Sequence, residues 1–285
     1  MIGLTLPDFA RWSDRVVVAL GQNPSVFTGP GTNTYLIGTG PQRILLDTGG
    51  GEPEYLGVLE RAMAETGCEG LQEIVLTHGH PDHIGGAIAL NDHLGPVRVA
   101  KKAWPEVDEN YNLDLRLLDD GDVIETEGAR LRAVYTPGHA VDHLCFVLEE
   151  EGSLFSGDNV LGIGTTVIPP TSGSLADYMQ SLHRLLEERP KAIYPAHGPL
   201  IADGVEKIRE YIAHREERDA QILAAMREGV ETIPAIVQIV YAAYPESLHA
   251  AAGQSVCSHL QKLERERRVA RAGAPEPLAD DWRLV

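Results

Sequence analysis

The segment LTHGHPDHIGG constrains this chain most, because it places three histidines and an aspartate within residues 78–83. It directly follows EIVLT, an apolar run typical of a buried strand. Imidazole and carboxylate are common ligands of zinc and its neighbours. Alternate residues of an extended chain share a face, so His78, His80 and Asp82 can point together, with His83 beyond the turn. A fold for this chain must therefore bring partner ligands to this strand end.

Partner ligands are expected at the ends of three later apolar runs. The segments YTPGHAVDH, LFSGDN and IYPAHGP carry His139, Asp158 and His197, each beside glycine or proline. Five histidines and two carboxylates suffice for two metal ions that share a bridging water. The sequence therefore predicts a dinuclear hydrolytic centre with the ligands His78, His80, Asp82, His83, His139, Asp158 and His197.

The order of apolar runs indicates sheets covered by helices, an α/β layered domain. Strands are predicted at 15–20, 34–38, 43–49, 73–77, 130–136, 143–150, 153–156 and 192–197. Helices are predicted at 53–65, 84–94 and 175–188.

The pattern changes after Asp203. A long amphipathic helix, two further helices (TIPAIVQIVYAAY and SVCSHLQKLERERRV) and a small hairpin ending in DWRLV are expected there. Three helices followed by a β-hairpin describe a winged-helix module. We therefore divide the chain into a catalytic domain, 1–204, and a C-terminal module, 205–285.

Composition limits the binding partners and the cellular compartment that are expected for this chain. The net charge of −18 disfavours binding to bulk nucleic acid or to anionic membranes. No apolar run is long enough to span a bilayer, and the N-terminal residues lack the pattern of a secretory signal. The three cysteines, Cys68, Cys145 and Cys257, are odd in number and widely separated, which predicts no disulfide framework. A cytoplasmic protein without membrane contact is expected.

HGHPDH, followed in order by GHA, SGD and AHG, resembles the signature of the metallo-β-lactamase superfamily over about residues 12–200. GTNTYLIGTG, ILLDTG and the C-terminal module resemble most closely the subgroup related to the mitochondrial endoribonuclease called β-lactamase-like protein two. The resemblance implies an αββα sandwich. It also implies that His78, His80 and His139 bind one metal ion, that Asp82, His83 and His197 bind the other, and that Asp158 bridges them. In that family, the aspartate matching Asp47 supports a metal-binding histidine.

The resemblance implies a hydrolase in which a metal-bridging hydroxide attacks the substrate, with Asp82 as both ligand and partner of the hydroxide proton. Two zinc ions are the first expectation, with manganese or iron as alternatives. His143 follows His139 closely enough to contact the substrate or to orient a ligand. The bridging Asp158 disfavours a dedicated β-lactamase, though weak β-lactam cleavage remains an expectation. Gly79 departs from the bulky aromatic residue of animal relatives and is expected to open space between the two histidines.

Two classes of substrate remain open. The first is a small-molecule ester, thioester or lactone, with the C-terminal module as a pocket wall or homodimer contact. The second is single-stranded RNA, guided by a stretch of the module in which basic residues outnumber acidic ones. The basic residues are Lys262, Arg265, Arg267, Arg268 and Arg271, and the acidic ones are Glu264 and Glu266. A non-enzymatic, metal-dependent sensor is the third hypothesis.

Overall fold

Residues 4–272 and 281–285 are described by the computed structural model. In this part of the chain, seven strands form a first sheet in chain order. They are β1 (Phe9–Arg11), β2 (Val16–Leu20), β3 (Asn33–Ile37), β4 (Gln42–Leu46), β5 (Gly70–Val75), β6 (Val99–Lys101) and β7 (Leu115–Leu117). Strands β1 to β4 pair antiparallel, whereas β4 to β7 pair parallel.

A second sheet faces the first. Its described strands are β8 (Val123–Thr126), β9 (Ala129–Tyr135), β10 (Leu144–Leu148), β11 (Ser153–Gly157) and β12 (Ile193–Pro195). The inward side chains of the two sheets form one apolar core, in which Ile37, Leu131 and Phe146 are fully buried. This is the packing expected when two half-apolar sheets bury their faces against each other.

Helices cover the outer face of each sheet. The first sheet packs against α1 (Pro53–Thr66), α2 (Pro81–Ile84) and α3 (Ala87–Leu94), and the second against α5 (Leu175–Glu188) and the start of α6 (Gly204–Arg227). The short α4 (Pro105–Asp108) lies between β6 and β7 in the chain. The predicted four-layer αββα sandwich is therefore confirmed.

The helix predicted over 84–94 is interrupted. It forms α2 and α3, separated by Gly85 and Gly86. A Cβ on Gly86 would lie 2.1 Å from the carbonyl oxygen of Thr48, so only glycine permits this close approach of the chains. The amide and hydroxyl of Thr48 in turn donate hydrogen bonds to the carbonyl oxygen of His83, at 2.8 and 2.6 Å. The break therefore ties α2, which carries two candidate ligands, to the end of β4.

The C-terminal region has its own apolar core. It consists of the second half of α6, α7 (Ile233–Val240), a short 3-10 turn, α8 (His249–Arg265) and the paired strands β13 (Val269–Arg271) and β14 (Trp282–Leu284). This arrangement confirms the predicted winged helix and hairpin. The division at residue 204 stays a prediction, because α6 packs in both parts: Ile208 and Tyr211 lie in the core beneath the second sheet, and Ile222 and Leu223 lie in the C-terminal core.

Within the described ranges, no helix combines the length and apolar character that crossing a membrane requires.

Candidate metal centre

The candidate ligands meet at one edge of the sandwich because of strand direction. In the second sheet β9, β11 and β12 run the same way, since β10 is antiparallel to both β9 and β11. Their carboxyl ends lead to His139, Asp158 and His197 respectively. In the first sheet, the parallel strands β4 and β5 lead to Asp47 and to His78. The carboxyl ends of strands in both sheets thus deliver the polar residues to one cleft.

Three histidines form the first group. Nε2 of His78 and Nε2 of His139 each lie 2.9 Å from Nδ1 of His80. The outer ring nitrogens of two of them are held by the protein: Nδ1 of His139 donates to the carbonyl oxygen of Val167 at 2.9 Å, and Nδ1 of His78 lies 3.0 Å from the Thr77 hydroxyl. Such bonds fix the tautomer and leave the opposite nitrogen free to bind a metal.

A second group consists of Asp82, His83 and His197, and the Asp158 carboxylate connects the two groups. Oδ2 of Asp82 lies 3.4 Å from Nε2 of His83 and 3.3 Å from Nε2 of His197. Asp158 lies between the groups: its Oδ1 is 3.1 Å from His197 Nε2, and its Oδ2 is 3.4 Å from His139 Nε2. One carboxylate therefore contacts both sets of imidazoles, as a bridging ligand must.

The ionisation of the two groups differs. Burial lowers the pKa of His80 to about 4 and that of His78 well below its usual value, so these imidazoles are neutral at pH 7. Burial also lowers the pKa of His197, but the Asp158 and Asp82 carboxylates outweigh it and raise that pKa to about 9. Neutral imidazoles and ionised carboxylates are the forms that bind metal. In the second group a bound cation would replace protons.

A test of fit comes from the geometry of two buried ligand atoms. Nε2 of His83 and Oδ1 of Asp158 lie 3.5 Å apart, and although other charged side chains of the cluster are close to both, neither atom forms a hydrogen bond of normal geometry within the described residues. Buried polar atoms without well-formed hydrogen bonds cost free energy, so a ligand between them is expected. Three sets of side chains bring their ligand atoms within 4.8 Å of one another: His78, His80 and His139; His78, His83 and Asp158; Asp82, His83 and His197. The donor set fits divalent metal ions.

Asp47 organises two of the candidate ligands. Its Oδ1 accepts the Thr77 amide at 2.8 Å, and its Oδ2 accepts the Thr77 hydroxyl at 2.9 Å and Nδ1 of His83 at 2.8 Å. Through that hydroxyl it also reaches His78. Asp47 has a positive φ of 59°, a strained conformation for a residue other than glycine that tends to persist at functional sites. The role expected for Asp47 remains a proposal, and this hydrogen bonding supports it.

Replacing Asp47 by asparagine tests that role. The carboxylate of Asp47 accepts three hydrogen bonds, from the Thr77 amide, the Thr77 hydroxyl and His83 Nδ1. The asparagine side chain places an NH2 donor where one of these donors now points, so His83 loses its fixed orientation. We expect the apparent zinc affinity to fall about 10- to 100-fold. Competition with a chromophoric chelator measures this affinity. Asp92→Asn, on the exposed surface of α3, is the matched control, and equal affinities in the two variants would contradict the assignment.

His143 is fully buried, and both of its ring nitrogens are engaged. Its Nε2 accepts the backbone amide of Asp158 at 3.1 Å, which places the proton on Nδ1, 3.0 Å from the Thr136 hydroxyl. Of the two roles considered for His143, this geometry favours positioning of Asp158 over contact with substrate. Sequence spacing alone did not indicate the hydroxyl partners Thr77 and Thr136.

The space beside Gly79 is filled, so the expectation of an opening there is wrong. A Cβ on Gly79 would lie 3.0 Å from Val107 and 3.4 Å from the ring of Trp104. These residues belong to the segment containing α4, where Trp104 also lies 5.9 Å from the ring of His80. The bulk comes from a different part of the chain, which the motif could not reveal.

Solvent reaches the cluster at Asp82. A cavity of about 520 Å³, here called the entrance cavity, is lined in part by Asp82, Asn23, Ser25 and Thr28. The side chain of Asp82 is 29% exposed, whereas those of His83 and His197 are almost completely buried. A reacting group that enters from this side meets Asp82 first.

Comparison with known proteins agrees with the fold. The family model for the metallo-beta-lactamase superfamily matches residues 27–197, well over half of the chain. This chain therefore belongs to the metallo-β-lactamase superfamily and is a hydrolase of that class. Residues 232–282 match the beta-lactamase associated winged helix domain.

Individual relatives resemble the chain over most of its length. A beta-lactamase-like protein 2 homolog of Caenorhabditis elegans is 41% identical over 262 residues, covering 89% of this chain and 85% of the relative. An atrochrysone carboxyl ACP thioesterase of Aspergillus chevalieri is 39% identical over 275 residues, covering 93% and 86%. The crystal structure of a metallo-beta-lactamase family protein from Thermus thermophilus superposes with a TM-score of 0.74 at 27% identity, covering 94% of this chain and 98% of that one.

Proposed function

We propose that this protein is a dinuclear, metal-dependent hydrolase of small thioesters or related esters and lactones. The observation that carries the proposal is the Asp158 carboxylate, which contacts imidazoles of both histidine groups at 3.1 to 3.4 Å. His78, His80 and His139 would hold one metal ion, and Asp82, His83 and His197 the other. Zinc is the first choice for this donor set, with manganese and iron as alternatives.

Divalent ions at this cluster would supply an activated water at neutral pH and a Lewis acid for the carbonyl oxygen. The protein's own part is to present Asp82 toward the entrance cavity. Although burial raises the pKa of Asp82, the neighbouring His83 and His197 outweigh it and hold that pKa well below its usual range. Asp82 is therefore ionised and can accept a hydrogen bond from the attacking water. In the net reaction the oxygen of water joins the acyl carbon and the carbon–sulphur bond breaks. One proton of the water goes to the departing thiolate, and the other is released as the acid product ionises.

The orientation of α8 disfavours RNA as substrate. In winged-helix proteins the third helix is the usual reader of nucleic acid, and here that helix is α8. It is docked on the catalytic layers: the Ser258 hydroxyl donates to the carbonyl oxygen of Ile168 at 2.7 Å, and Gln261 donates to that of Pro170 at 3.1 Å. The same helix forms a wall beside the sandwich, as the small-molecule hypothesis requires.

The basic residues of the module are also largely neutralised. Lys262 contacts Asp219 at 2.6 Å and Glu266 at 2.7 Å. Arg265 pairs with Asp177, Arg268 with Glu266, and Arg271 with Glu264. Together with the net charge of −18, these pairs leave little positive potential for a phosphate backbone. The thioesterase among the relatives provides independent support for the small-molecule class.

A panel of substrates tests the proposal. The zinc-reconstituted full-length protein is assayed with an aryl-acyl thioester, a lactone, a chromogenic β-lactam and a fluorescent single-stranded RNA. We expect thioester hydrolysis to exceed hydrolysis of the β-lactam at least about 100-fold in kcat/KM, a difference of about 3 kcal/mol in transition-state stabilisation.

The control for contaminating activity is the same panel with the His80→Ala variant, which should lose every activity that belongs to this centre. RNA cleavage that disappears in the variant, with no thioester turnover in the unaltered protein, would overturn the small-molecule proposal in favour of an endoribonuclease.

A further inference from the structure

A second cavity, of about 480 Å³, lies where the sandwich meets the winged helix. We call it the junction cavity. Val167, Ile168 and Leu175 line it from the catalytic layers, and Tyr241 and Ala252 line it from the module. Its size and largely apolar walls are those of a small-molecule site.

Two arginines on one face of α6, Arg215 and Arg218, also line this cavity. Each is less than a tenth exposed. Among the described residues neither forms an ion pair with a carboxylate; the buried acid on the helix, Asp219, is bound by His259 and Lys262, each at 2.6 Å. Buried cations without a counter-ion are costly, which indicates that an anion from outside the chain completes the site.

The arginines are nonetheless held in place. Nη2 of Arg215 donates to the carbonyl oxygen of Thr166 at 2.6 Å, and the guanidinium of Arg218 lies 4.1 Å from the centre of the Tyr241 ring. Three buried nitrogens of residues that line the cavity have no hydrogen-bond partner within the described chain: Nδ1 of His214, Nε of Arg215 and Nε2 of His259. Nε of Arg215 carries a proton and can donate to a ligand, whereas Nε2 of His259 is an acceptor, because the single proton of its neutral ring lies on Nδ1 and is donated to Asp219.

The junction cavity adjoins the candidate metal centre. Val167 and Thr166, which form part of its wall, also contact Nδ1 of His139, at 2.9 Å through a carbonyl oxygen and 3.2 Å through a hydroxyl. Phe27, 72% exposed, reaches the cavity from the loop whose neighbours Ser25 and Thr28 line the entrance cavity. One loop thus borders both spaces.

We propose that the junction cavity binds the acyl part of the substrate, and that this acyl group is an apolar or aromatic one bearing a carboxylate, which pairs with Arg215 and Arg218. The proposal rests on the proposed function for the reacting bond but not for the binding itself. Apolar walls bury the hydrocarbon, and the two guanidinium groups bind the carboxylate by charge-assisted hydrogen bonds. An RNA strand fits this largely apolar space poorly, and RNA binding is an outcome of the test.

The test is calorimetric binding of 2-naphthoate and of its neutral analogue 2-naphthamide to the zinc-loaded full-length protein. We expect naphthoate to bind at least about tenfold more tightly than the amide. Arg218→Gln should weaken naphthoate binding about tenfold and change amide binding less than about twofold. The matched control is Arg209→Gln, an exposed arginine of the same helix outside the cavity, which should leave both affinities unchanged.

Two further measurements keep the outcomes distinct. Ala251→Trp, at the exposed mouth of the cavity, should block both probes even if the Arg218 variant unfolds. Naphthoate binding should also survive removal of metal with a chelator. Equal affinity for acid and amide, loss of binding with the metal, or displacement of naphthoate by single-stranded RNA would each overturn the proposal. If naphthoate binds as expected but thioesters are not hydrolysed, the cavity stands and the proposed reaction fails.

Discussion

Asp158→Ala is expected to reduce thioester hydrolysis at least about 1,000-fold, the loss of about 4 kcal/mol of transition-state stabilisation. Asp158 is the side chain that contacts both histidine groups, so its removal leaves each group without a shared ligand. The metal content should also fall below two ions per chain, as measured by elemental analysis after dialysis. The variant should stay folded, because the residues that support the edge, including His143 and Asp47, are retained.

The control is Asp92→Ala, which removes a carboxylate of the same kind from the exposed surface of α3. It should keep full activity and full metal content. An Asp158 variant that hydrolyses the thioester at more than about a tenth of the normal rate would show that the two histidine groups do not act together.

Asp219→Ala is expected to lower the free energy of unfolding by about 3 kcal/mol, measured by urea denaturation. Asp219 is buried on α6 and accepts bonds from two groups of α8, Nδ1 of His259 and Nζ of Lys262, both at 2.6 Å. Removing the carboxylate leaves a buried cation with only the half-exposed Glu266 as a partner. The lost stability comes from the contact between α6 and α8, the two helices that line the junction cavity.

Three comparisons separate this ion pair from general effects. Glu216→Ala, an exposed acid on the same helix, should cost less than about 0.5 kcal/mol. The double variant Asp219→Leu with Lys262→Met should recover much of the loss, since no buried charge is left unpaired. Although burial raises the pKa of Asp219, His259 and Lys262 outweigh it and lower that pKa. The contribution is therefore present above the unfolded pKa of about 4 and lost as pH falls through the lower native value, so the unaltered protein and Asp219→Ala should converge on acidification.

The sequence was most informative where chemistry and chain order coincide. Seven ligand candidates follow apolar runs beside glycine or proline, and the structure brings all of them to one edge. What the motif could not provide was the hydrogen bonding behind them. The hydroxyls of Thr77 and Thr136 carry no signal in a linear pattern, because a threonine beside a strand end is ordinary until a distant histidine is seen to contact it.

The errors in predicting the fold from the sequence have similar causes. The strands Val99–Lys101 and Leu115–Leu117 are only three residues long, too short to show an alternating pattern. The helix predicted over 84–94 is too long, since its apolar spacing continues through Gly85 and Gly86, where tertiary packing on Thr48 breaks the helix. The expectation at Gly79 is wrong for the same reason: the side chains that fill its space, those of Trp104, Val107 and Asp142, lie 25, 28 and 63 residues further along the chain.

The continuity of α6 has a consequence for exchanging modules between relatives. Its first half is fixed to the sandwich through Tyr211, and its second half is fixed to the winged helix through Ile222. One residue inserted between Tyr211 and Arg218 would turn everything beyond it by about 100° relative to the sandwich, because an α-helix has 3.6 residues per turn. Arg218 would then leave the wall of the junction cavity while the metal ligands stayed where they are. Helical phase, and not a flexible linker, therefore sets which acyl groups such a chimera could hold, and a graft should join the two parts within α6 at an unchanged residue count.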